Sequence, residues 1–154
     1  MRRAITVKPA ATWDPALAVD SVVLDADERH RRRIVLTGQG GTVFLLDLPR
    51  PMMLKDGDGL VLEDFALVKV VGRPESLVAI TAASAEELAR LAWHIGNRHI
   101  DMQIIGNELR IRRDHVLEDM LRRLGARLTP VDAAFYPEGG AYDEREDSSA
   151  HKHV

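Results

Sequence analysis

The chain has 154 residues, 45% hydrophobic and 5% aromatic, with 21 Lys and Arg against 24 Asp and Glu for a net charge of −3. That length holds one domain of ordinary size or two small ones with thin cores. The charge balance excludes a general nucleic-acid binder, and so few aromatic side chains offer no stacking platform for bases. No stretch of about 18 apolar residues occurs, so no membrane span is expected. Met1-Arg2-Arg3-Ala4 has no apolar run behind it, and a cytoplasmic protein without a secretory signal is expected. Cysteine is absent. Disulfides, thiolate nucleophiles and cysteine-based zinc or iron–sulfur sites are thereby excluded. Any bound metal must use imidazole, carboxylate, backbone or water.

The first half reads as short strands: 21–24, 33–37, 42–46, 60–62 and 67–71. Gly38-Gln39-Gly40-Gly41 and Asp56-Gly57-Asp58-Gly59 are turn clusters between them. Leu48-Pro49-Arg50-Pro51 forbids a regular central strand. Closely spaced strands with such turns predict a small all-β domain over residues 1–73. The basic run Arg29 to Arg33 reads as a solvated strand entrance.

After Gly72-Arg73-Pro74 the periodicity changes. Leu77 to Thr81 is a strand, and Ser84 with Glu87 forms a capping box. Leu88, Leu91, Ala92 and Ile95 mark one face of a helix that Gly96 is placed to end. Residues 100–105 and 108–111 read as strands around a Gly106-Asn107 turn. Asp114 caps a second helix with Leu117, Met120, Leu121 and Leu124 on one face, and residues 127–131 form a last strand. This βαββαβ order over residues 74–141 is the ferredoxin-like pattern, giving an α+β protein overall. Residues 142–154, ending His151-Lys152-His153-Val154, form a charged tail expected to be disordered.

The six histidines carry the chemistry worth weighing. His99 falls in the loop after the first helix, where Gly96-Asn97 makes a sharp exit. It is a solvated loop histidine or a metal ligand. One imidazole is too few for a tight site, but a two-fold axis would bring two copies together. His94 lies near the apolar stripe and reads as partly buried, with Trp93 for packing or an interface. His115 follows the cap Asp114; it is a weak surface ligand or simply solvated. His151 and His153 can share a metal if the tail is extended. No Ser-His-Asp signature is visible, and Gly38-Gln39-Gly40-Gly41 lacks the Lys-Ser/Thr of a phosphate loop.

The segment His94-Ile95-Gly96-Asn97-Arg98-His99, with Gln103-Ile104, Glu108-Leu109-Arg110 and Asp114-His115 through Leu121 at their spacing, resembles the urease accessory protein E family. So do Asp27-Glu28-Arg29, Arg31-Arg32-Arg33, Asp47-Leu48-Pro49-Arg50 and Leu54 to Asp58, so the resemblance spans nearly the whole chain. It implies a homodimeric nickel metallochaperone, not an enzyme. A peptide-binding type of β domain precedes a metal-binding ferredoxin-like domain. The implied partners are an accessory GTPase and the urease apoprotein complex.

By the same resemblance, His99 is the principal Ni2+ ligand at the dimer interface and His115 a peripheral one. His151 and His153 would supply tail ligands. Zn2+ or Cu2+ can occupy the same imidazoles. Imidazole binds metal only when neutral, so affinity should fall below about pH 6.5. Arg113 stands where some members carry another histidine, and its charge opposes metal at His115. Three other readings remain: a general zinc or copper buffer, an acylphosphatase-like enzyme using Asn97 and Arg98, and an RNA-processing factor with a β domain and a basic run.

Overall fold

A computed structural model describes residues 1–139; residues 140–154, with His151 and His153, lie outside the described residues. The chain divides into two compact units, Met1–Arg73 and one that begins at Pro74. No described helix is long and apolar enough to cross a membrane.

The first unit contains β1 (Arg2–Lys8), β2 (Asp20–Leu24), a four-residue helix α1 (Ala26–Arg29), β3 (Arg33–Thr37), β4 (Val43–Asp47), β5 (Gly59–Leu62) and β6 (Leu67–Gly72). Its six strands form one sheet in the order β2-β6-β5-β1-β4-β3. Period-2 alternation turns Phe44, Leu46, Leu60, Leu62, Val68 and Val70 onto the inner face, where they are buried in one cluster.

Strand β1 is absent from the sequence reading, yet it lies between β4 and β5 in the sheet. The reason is visible in its residues. Ala4 is its only fully buried side chain, and a register shift between Ala4 and Thr6 breaks the alternation. Helix α1 was also not anticipated. Asp25 and Glu28 form a complete capping box around it.

The basic run is correspondingly not all solvated. Arg29 is fully buried, and its guanidinium donates to the carbonyls of Leu24 (3.2 Å) and Leu54 (3.3 Å). It ties the end of β2 to the loop before β5. Arg3 and Arg33 remain half-exposed and share the Asp47 carboxylate, at 3.3 and 3.0 Å.

The edges β2 and β3 approach each other through the β3–β4 hairpin. Gln39 N donates to Ser21 O at 2.8 Å. The Asp20 carboxylate accepts from the backbone of Ser21 (2.7 Å), Gly40 (2.8 Å) and Thr42 (3.1 Å). A Cβ at Gly38 would come within 2.3 Å of that carboxylate, so only glycine fits there.

In the second unit the elements are β7 (Glu75–Thr81), α2 (Ala85–Asn97), β8 (Gln103–Ile105), β9 (Glu108–Arg112), α3 (His115–Arg123) and β10 (Arg127–Ala133). The sheet order is β10-β7-β9-β8, all pairs antiparallel. This is the ferredoxin-like arrangement expected from the element order. Val78, Ile80, Leu109 and Ile111 face Leu91 and Ile95 of α2 and Leu117 and Leu121 of α3 in a second core. Pro130 is tolerated because β10 is an edge strand.

The Asp20 clamp generates a pH prediction. Partial desolvation pushes its carboxyl up. The bonds from Gly40 N–H, the Thr42 hydroxyl, Ser21 N–H and Thr42 N–H outweigh this and hold its pKa at about 2, against 3.8 unperturbed. A folded pKa below the unfolded one contributes stability above the unfolded value and loses it as pH falls through the folded one. Urea titrations from pH 5 to 2 should show that acid decline. Asp20→Asn should flatten it and cost about 1–2 kcal/mol at neutral pH through weaker acceptor bonds.

Candidate functional site: the exit of helix α2

Ser84 caps α2, its hydroxyl accepting from Glu87 N at 3.1 Å. The other end departs from expectation. Gly96 does not stop the helix, and Asn97 is not the left-handed residue. The helix runs to Asn97 with Arg98 as its cap, and His99 itself adopts φ 58°. His99 N donates to Gly96 O at 3.0 Å and Ile100 N donates to Ile95 O at 3.4 Å. These are the two bonds of a Schellman motif, in which the left-handed position normally belongs to glycine. Ile95 and Ile100 both belong to the second core, supplying the apolar contact that accompanies the motif.

The imidazole is therefore held outward on a defined turn. His99 is exposed. It lines a cleft of about 320 Å3 together with Ile100, Asp101, Arg112, Arg113, Asp114 and Leu117. Each guanidinium in the cleft is tied to carboxylate. Arg112 bonds Glu75 (2.8 Å) and Asp101 (3.4 Å), and Arg113 forks onto Glu118 (3.0 and 2.9 Å). Among the described residues no group of three or more His, Asp or Glu is close enough to hold a metal ion. One copy of these residues offers an imidazole, not a chelate.

His115 opens α3 and is exposed. Asp114 is the cap, its Oδ1 accepting from Leu117 N at 3.0 Å. His115 lines a second cleft of about 250 Å3 with Arg113, Asp114 and Glu118, so Arg113 and Asp114 border both clefts. The positive end of α3 disfavours a cation at His115. The charge of Arg113, in contrast, is compensated locally by Glu118. That carboxylate is buried and also accepts from Asp114 N at 2.9 Å. The Arg113 fork, opposed by burial and aided by the Asp114 N–H, keeps the Glu118 carboxyl below its usual range. Glu118 was not singled out in the sequence. Its position on α3, next to the apolar Leu117, is its only signal.

His94 is half-buried, as anticipated, and packs edge-to-face on Trp93 with ring centroids 5.1 Å apart. Trp93 is 64% exposed on α2, two turns from His99 or less, so it does not pack into the second core. The acylphosphatase-like alternative loses its geometry. The cleft at the β7–α2 turn is lined by Ala82, Ala83, Ser84, Ala85, Leu88 and Asn107, with no cation. Asn97 and Arg98 stand at the opposite end of α2.

Fold and site together define a two-domain α+β protein that displays one imidazole at a strained helix exit. Comparison with known proteins identifies the family. Residues 3–72 match the profile described as UreE urease accessory protein, N-terminal domain, and residues 75–154 match its C-terminal domain. A urease accessory protein UreE of Bradyrhizobium sp. (strain BTAi1) is 51% identical over 98% of this chain and 73% of its own length. That of Rhodopseudomonas palustris (strain BisB18) is 52% identical over 92% of this chain and 67% of its own. The chain belongs to the UreE urease accessory protein family.

Two stability measurements check this geometry. A non-glycine residue in the left-handed region costs about 1 kcal/mol. His99→Gly should therefore have a higher unfolding free energy than His99→Ala by roughly that amount, read from denaturant titrations. Glu118→Ala should lower unfolding free energy by about 2 kcal/mol, since it removes charge-assisted bonds and leaves Asp114 N unpaired.

Proposed function

We propose that this protein is a nickel-carrying accessory factor for assembly of the urease active site, working as a homodimer. The carrying observation is the His99 turn. A backbone conformation that glycine would occupy more cheaply is given to an exposed imidazole, and strain of this kind is found where function needs a defined side-chain direction. With one copy too poor in ligands, the second His99 comes from a symmetry mate, with Trp93 buried between copies. His151 and His153 complete the coordination, and His115 holds metal more weakly at the edge. The first unit (1–73) engages protein partners, residues 74–141 hold the metal, and 142–154 form the tail.

Incomplete coordination by imidazoles suits an exchangeable cargo. Two imidazoles leave positions for water or for a recipient's ligands, and nickel accepts such nitrogen and oxygen sets. Zn2+ and Cu2+ fit the same donors. The recipients are an accessory GTPase and the urease apoprotein complex, in the cytoplasm.

Calorimetric titration of Ni2+ into the full chain tests the reading. His99→Ala should weaken the tightest binding event by about 100-fold or more, the scale of losing a ligand from each copy. Undiminished binding in that variant would exclude it.

A further inference from the structure

The chain does not leave the second unit when β10 ends. Residues 134–139 continue as an extended strap, with Phe135 and Pro137 buried. The Arg112 guanidinium lies 4.9 Å from the centre of the Phe135 ring. Leu109 and Ile111 of β9 face the helices, so alternation turns Arg112, and Phe135 with it, to the helix-free face of the sheet. The strap thus crosses that face from β10, one edge, to β8, the other. Tyr136 N fixes the crossing by donating to the buried Gln103 side chain, at Oε1, 3.0 Å.

The strap ends on the outer side of β8. Glu138 N donates to Met102 O at 2.7 Å, and Ile104 N donates to Glu138 Oε2 at 3.1 Å. Met102 and Ile104 are two residues apart, so their backbone groups point to the same side, away from the pairing with β9. A neighbouring strand would make the same two bonds, giving one N–H and accepting another. Glu138 supplies both, with its carboxylate in place of a strand carbonyl.

Without that residue β8 would be an apolar open edge, since Ile104 is 52% and Ile105 43% exposed. Such edges template pairing with other chains. The opposite edge, β10, carries an exposed Pro130, which has no N–H to offer. The edges of the first unit's sheet are drawn together by Asp20 and the Gln39–Ser21 bond. An uncovered β8 is complementary to a second β8. Antiparallel about Gln103, Met102 of one copy would lie opposite Ile104 of the other, and the same groups would meet twice in about four backbone bonds.

We propose that Glu138 is an edge guard: by occupying the outward backbone groups of Met102 and Ile104, it prevents β8 of one copy from pairing with β8 of a second. The guard is independent of metal chemistry and confines association between copies to other surfaces.

The test uses the full chain with a chelator present, so that metal cannot join copies. Mass is read by light scattering across a wide range of protein concentration. The native chain and Glu138→Gln should keep one mass throughout, because an amide oxygen still accepts from Ile104 N. Glu138→Ala uncovers Ile104 N and should roughly double in mass as concentration rises. Glu138→Pro also removes the N–H given to Met102 and should do so at lower concentration. Adding Ile104→Pro to Glu138→Ala deletes the outward N–H without touching the bonds to β9, and should restore the native mass. Constant mass in both Glu138→Ala and Glu138→Pro, or association that survives Ile104→Pro, overturns the proposal. A second readout needs no variant. In dilute native protein the Ile104 amide should exchange with solvent about tenfold or more slowly than an unprotected amide; free exchange there overturns the guard as well.

Discussion

The left-handed backbone at His99 is the constraint on which the exit of α2 and the cleft beside it depend. It ends α2 by reversing the chain, returns Ile100 onto Ile95, and sends Asp101 toward Arg112. An imidazole on a regular helical turn would share its face with neighbours and move with them. At the left-handed position the side chain projects from the reversal itself, while the residues on either side are held by core packing. Glycine would make the same turn with less strain. Histidine at that position therefore carries a backbone cost that glycine would not.

The surroundings of that turn are electrostatically quiet. Two arginines border the cleft, which would repel a divalent ion if left uncompensated. Glu75, Asp101 and Glu118 neutralise them at bonding distance. The buried Glu118 is the most constrained of the three, because it also holds Asp114 N at the start of α3. A single carboxylate thus connects the helix that carries His115 to the guanidinium beside it. In the first unit Asp20 plays a comparable part, closing the sheet's edges through the β3–β4 hairpin.

Where the sequence was legible, the signal was local. Ser84 and Asp114 before periodic apolar residues marked both helix starts, and both cap as expected. Strands β2 to β6 were readable because their inward residues are large and largely alternate, and β7 because Leu77 to Ile80 form a continuous apolar run, all buried. Strand β1 was not, since Ala4 is small and the register shift beside it scrambles the period. The end of α2 was misread for a related reason. Gly96 and Asn97 have the propensity to reverse a chain, but packing of Ile95 and Ile100 places the reversal two residues later. Arg29 looked like one cation in a basic run; only the approach of the segment at Leu54 shows it to be enclosed.

By itself, the sequence determined the α+β class, the order of the second unit's elements and the histidines worth weighing, because periodicity, caps and turn residues act over a few positions. Family likeness extended that to an accessory role in urease assembly. Only the tertiary structure decided that His99, rather than its glycine and asparagine neighbours, takes the strained position. It alone paired Arg113 with Glu118 and carried residues 134–139 across the sheet to Met102–Ile104. Those outcomes depend on contacts between residues far apart in the chain or on competition between neighbouring turn sites, and neither leaves a periodic trace in sequence.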